Sequence, residues 1–131
     1  MITMDQKAMM DALVQVKRMS NLLNEVQDLS QQLAEAIDRD DRVSVEMLTG
    51  MRREPIDKLM SAEDVLADLA STLPPDDGAR LLALLKGAPA QTAEEKALAE
   101  LVGSNHRRLK QILNLDKRLN QKLTRENSVY Q

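Results

Sequence analysis

Ile37-Asp-Arg-Asp-Asp-Arg-Val-Ser-Val-Glu-Met-Leu-Thr-Gly-Met-Arg-Arg-Glu-Pro-Ile-Asp-Lys-Leu59 holds the first sharp reversal in a chain that otherwise reads as helical from end to end. A long amphipathic pattern runs into it from about Met4. The cluster Asp38, Arg39, Asp40, Asp41 interrupts that pattern, because short polar side chains offer the backbone local hydrogen bonds that compete with a helix. Asp40 or Asp41 can then cap the next helix by accepting the unpaired N–H groups of its first turn. Two amphipathic helices joined by so short a connection predict a helical hairpin, the unit from which antiparallel bundles are built.

Working outward, the spacing predicts a first helix over about 4–37. Val16, Met19, Leu22, Leu23, Val26, Leu29, Leu33 and Ile37 recur every three or four residues and share one broad face. The second helix carries Val43, Val45, Met47, Leu48, Met51, Ile56 and Leu59. Pro55 removes a donor and crowds the preceding turn, so it either kinks this helix or opens a new one. Helical phase is kept across it, which favours a kinked continuation. Ser61-Ala-Glu-Asp64 has the form of a fresh helix start, and Leu73-Pro-Pro-Asp-Asp-Gly78 the form of a stop. A short helix, about 79–86, follows with Leu81, Leu82, Leu84 and Leu85 apolar nearly all round. After the Gly87–Gln91 connector, Thr92 and Glu95 form a capping box for a final helix over about 92–127. Gly103-Ser-Asn105 is its expected weak point. The fold class is all-α: an antiparallel helical bundle, or long helical hairpin, with coiled-coil-like packing and short intervening helices, in one domain over residues 1–131.

The composition limits what such a bundle can do. Among 131 residues there is no Phe, Trp or Cys, and the one aromatic is Tyr130. Leu, Met, Val, Ile and Ala must supply the packing, which suits long helix–helix seams. Eight Met make the surfaces adaptable. Without Cys there is neither disulfide framework nor thiolate chemistry. No run approaches the ~20 apolar residues that span a bilayer, and no signal peptide is visible, so a soluble cytoplasmic protein is expected.

Catalytic residues are not found. His106 is the single histidine, with no Cys beside it, and reads as a surface residue on a basic helix rather than a metal ligand. Asp38, Asp40 and Asp41 lack the Gly and downstream Glu spacing of a calcium loop and read as a capped turn. No phosphate-binding loop or nucleophile motif is present. Neither an enzyme activity, a metal nor a cofactor is expected. The net charge of −3 is uneven: nine acids face four Lys or Arg between Pro55 and Glu100, whereas seven Lys or Arg face two acids from Leu101 onward. That basic segment lacks aromatics for base stacking or membrane anchoring, so nucleic acid and membrane insertion are not expected. It can steer an acidic protein partner, or pack against the acidic middle of the same chain.

A long first helix, an acidic turn, then Leu48-Thr-Gly-Met-Arg-Arg-Glu-Pro-Ile-Asp-Lys-Leu59 resembles the flagellar type III export chaperones of the FlgN kind and their FliT-type filament-cap relatives. Arg52 or Arg53 with Ile56 and Leu59 fits the family's second helix. Ile112-Leu-Asn-Leu-Asp-Lys-Arg-Leu-Asn-Gln-Lys-Leu123 is similar to its late helix, although many members continue that helix further. The resemblance implies a small cytoplasmic chaperone that holds flagellar hook-associated or cap proteins before export and works beside the export apparatus. It also implies a client-binding face on the C-terminal helix, where Leu109, Ile112, Leu115, Leu119 and Leu123 match. In that reading Leu98, Leu101 and Val102 anchor the helix above Gly103 while the five residues below it meet the client. The same stripe can instead be bundle core, or the seam of a self-associating coiled-coil protein, such as a homodimer.

Overall fold

Asp5 opens the first helix, its carboxylate accepting the Lys7 N–H at 3.2 Å. In the computed structural model, which describes residues 5–129, with side chains to Thr124, helix α1 spans Gln6–Asp38. The reversal after it is closed by two backbone bonds, Asp41 N–H to Ala36 and Asp40 N–H to Ile37. These satisfy carbonyls at the helix end and place Asp40 in the left-handed region, at φ 55°. Asp41 then caps α2, Arg42–Thr72, accepting both the backbone N–H and the hydroxyl of Ser44. These bonds from Ser44, with Arg39 nearby, hold the Asp41 carboxyl below its ordinary range.

Helix α2 is one continuous element. Pro55 neither ends it nor starts a new one, and Ser61–Asp64 is helix interior rather than a start. The cost of an internal proline, about 3 kcal/mol, is offset because Leu48, Pro55, Ala62, Leu66 and Ala70 are all buried along one side of α2. Helix α3, Pro75–Leu85, begins four residues before its expected start. Pro75 sits in the first turn, where a missing N–H costs nothing, and Asp76 and Asp77 complement that turn's unpaired donors. Gly87, at φ 108°, ends α3 in the conformation glycine favours. Helix α4 runs unbroken over Ala93–Val129, through Gly103 and Asn105. Among the described residues there is no strand, and no helix is long and apolar enough to cross a membrane.

The side-chain pairings set the topology. Leu48 of α2 packs near Ile37 of α1 and Leu66 near Val16, so the two helices are antiparallel. Ser20 meets Asn105, Gln27 meets Gln111 and Asp38 meets Lys122, so α4 runs parallel to α1. The fold is an all-α bundle in which α1 lies between α2 and α4. Arg80 lies beside Glu95 and Gly87 beside His106, so α3 runs in the same direction as α4. It occupies the fourth position of the bundle, between α2 and α4, but only along the upper part. There Leu81 and Leu84 are fully buried with Ala12, Val16, Leu66, Ala70, Leu98 and Val102.

Gly78 shows how closely α3 is seated. A Cβ at that position would stand 2.5 Å from the Ala70 carbonyl oxygen, a backbone atom with little room to retreat. Gly78→Ala is therefore expected to destabilise the fold by about 2 kcal/mol from overpacking, although alanine is the better helix former by about 1 kcal/mol. Urea denaturation checks this: a raised midpoint in the alanine variant would show that α3 is not wedged against α2.

Candidate functional site

Below α3 the fourth position is open. There α2 and α4 flank a groove floored by α1. Its volume is about 530 Å³. Val16, Met19 and Leu23 of α1 form the floor. The α2 wall carries Ile56, Leu59, Met60 and Glu63; the α4 wall carries Val102, Asn105, His106 and Leu109. Leu82, Leu85 and Lys86 at the end of α3 close the top. Met60 is 60% exposed, and Leu82 and Leu109 are each 41% exposed.

Below the groove an ion pair links α2 to α4. One guanidinium nitrogen of Arg52 donates to both carboxylate oxygens of Asp116, at 2.8 and 2.9 Å. Arg52 Nε is buried and unpartnered. Beneath it Leu48 and Leu119 fill the space together with Leu29, Leu33, Ala36 and Ile37 of α1.

The five residues of the α4 stripe are thus divided, and not at Gly103. Leu109 faces the groove. Ile112 is 3% exposed and packed with Leu23, Val26 and Leu59. Leu119 is equally buried, and Leu115 and Leu123 are half-buried against the same lower cluster. In this conformation the lower stripe is bundle interior rather than a free face. The α1–α4 seam also holds a polar contact at the level of the supposed weak point. Asn105 donates to the Val16 carbonyl at 3.2 Å, and its side-chain oxygen accepts from the Ser20 hydroxyl at 2.6 Å. Asn105 is therefore a buried cross-helix tie rather than a helix breaker.

No protein-family model, curated protein or solved structure matches this chain. The site must therefore be read from its own geometry. Ile56 and Met60, with Leu82, were missed as site residues by the sequence. Their signal was present: Ile56, Met60, Glu63 and Ala67 follow at four-, three- and four-residue steps and form a second stripe beside the Leu48–Leu59–Leu66 core line. Among the described residues no group of three or more Asp, Glu or His is placed to hold a metal ion.

The top of the groove depends on a clamp between α3 and the start of α4. Arg80 donates from Nε and a terminal nitrogen to the two Glu95 oxygens, at 2.9 and 2.8 Å, and also to the Pro89 carbonyl. Thr92 accepts the Glu95 N–H as expected of a capping box. On the reciprocal side Glu95 accepts chiefly from the Gln91 N–H, at 2.9 Å, with the Thr92 backbone N–H also favouring its carboxylate. The Arg80 guanidinium, aided by the Gln91 N–H, holds the Glu95 carboxyl below its ordinary range despite its burial. With a folded-state pKa below the unfolded value, this contribution is present above the ordinary glutamate range, about pH 4.3, and is lost as pH falls through the lowered value. Glu95→Gln should cost about 2 kcal/mol at neutral pH. It should also flatten the acid side of a stability–pH profile measured by thermal melts, and an unchanged profile would show that the clamp is not formed.

Proposed function

We propose that the protein is a non-catalytic, helix-binding chaperone of the flagellar export kind, and that the groove between α2 and α4 takes a helix of its client. The supporting observation is the half-filled fourth position. In the upper bundle α3 buries Leu81 and Leu84 there; directly below, the same seam presents Met60 and Leu109 to solvent, with Leu82 of α3 exposed above them. An amphipathic helix laid in continuation of α3 would complete a four-helix bundle, the helix-in-groove mode of recognition. Met19 and Met60 give the groove side chains that can re-pack around different clients.

The resemblance of the Leu48–Leu59 and Ile112–Leu123 segments to export chaperones supplies the biological class: hook-associated or filament-cap subunits, whose assembly helices are held before secretion. Self-association through the α4 stripe is the weaker reading, because Ile112 and Leu119 are already covered by α1 and α2. Size-exclusion chromatography with light scattering, on the protein alone and mixed with hook-associated and cap subunits, tests the proposal. A complex of defined stoichiometry with one of these subunits, dissociated by that subunit's terminal helix as a free peptide, is the expected result. A stable homo-oligomer that ignores every candidate subunit would overturn it.

A further inference from the structure

The two rims of the groove carry different charges. On the α4 side, Lys110 follows His106 by four residues and so continues the same edge. Lys86 stands at the top of the groove, at the end of α3. Both lysines are exposed, and neither engages an ion pair among the described residues. The α2 wall carries Glu63 instead. The lining runs from Ala67 to Ile56 along α2 and from Val102 to Leu109 along α4, with Leu82 and Leu85 above and the buried Ile112 below. From Ala67 to Ile56 along α2 that is roughly 17 Å, at 1.5 Å per residue.

Resting on the helix-binding reading, we infer that the occupant is a short amphipathic helix of about three turns with acidic residues on the edge that lies against α4. An acid on that edge meets Lys110 and one at the end nearest α3 meets Lys86, whereas an acid on the opposite edge meets Glu63. Opposite charges across a rim add modest affinity and strong orientation, since like-charge placement is penalised. The length suits a short helix better than a long helix of a second copy. Helices α2 and α4 have 31 and 37 residues, more than twice what the groove holds between its two stops.

Two labelled 15-residue helical peptides test this. Both carry Leu at positions repeating every three and four residues; one has Glu along a single edge, the other Lys along that edge. In fluorescence anisotropy at low salt the Glu peptide is expected to bind the wild-type protein about tenfold tighter, with the difference shrinking at high salt. Lys86→Glu combined with Lys110→Glu should reverse the order of the two peptides, while circular dichroism shows the fold unchanged. Equal binding of both peptides to the wild type, or an order that the double variant leaves as it was, overturns the acidic edge and leaves the helix-binding groove standing. Failure of both peptides to bind overturns the groove reading as well. A self-association that the Glu peptide competes away would assign the groove to a second copy and also overturn the inference.

Discussion

Ile112→Asp together with Leu119→Asp is expected to leave the chain without cooperative structure at 25 °C. Each of these side chains is 3% exposed, one at the centre of the α1–α2–α4 seam and the other in its lower cluster. Replacing them removes two large apolar contacts, and each new carboxylate has no buried partner. Either change alone should cost about 3–5 kcal/mol, and the two together approach the whole stability of a domain, about 5–15 kcal/mol. Far-UV circular dichroism with a thermal melt checks this. A cooperative melt near the wild-type temperature would mean that the lower α4 stripe is free in solution, and that the packing described for it is wrong.

Leu109→Asp combined with Met60→Asp should have the opposite signature. These side chains are 41% and 60% exposed and face the groove from opposite walls. Surface changes of this kind move stability by about 0.5 kcal/mol or less, so the melt should be nearly unchanged. Helix binding should fall by about 100-fold or more, because two apolar anchors at the centre of the contact are replaced by charges that must be desolvated. Titration calorimetry against a client's terminal helix reads the loss directly. Retained affinity would place the client elsewhere, whereas a collapsed melt would place these residues in the core.

The contrast between Ile112 and Leu109 also shows where sequence reasoning stops. They are three residues apart on one stripe, and periodicity alone gives them the same role. An apolar stripe is wide enough to touch two neighbours. Ile112 meets α1 and α2, while Leu109 lies on the edge where no fourth helix is present. Features made by local chemistry were legible: the Asp41 cap, the Thr92 cap, and the bounds of α1 to within about two residues. Signals that are local in form but decided by packing misled. Ser61–Asp64 looks like a helix start, yet buried Ala62 and Leu66 carry α2 straight through it. The Leu73–Gly78 stretch does stop α2, at Thr72, yet α3 already begins inside it at Pro75 rather than after it at Ala79. The groove itself exists because α3 has 11 residues where its neighbours have 31 and 37, and that mismatch opens a gap only when the helices are assembled.

Methionine methyl groups report most directly on whether this groove takes a helix. Met19 and Met60 line it, whereas Met47 and Met51 are exposed on another side of α2. With ¹³C-methyl methionine labelling, an NMR titration with the terminal helix of a hook-associated or cap subunit should shift the Met19 and Met60 resonances in a saturable way. The Met47 and Met51 resonances should stay where they are. Shifts at Met47 and Met51 with Met19 and Met60 unmoved, or no saturable shift with any such helix, would contradict the account.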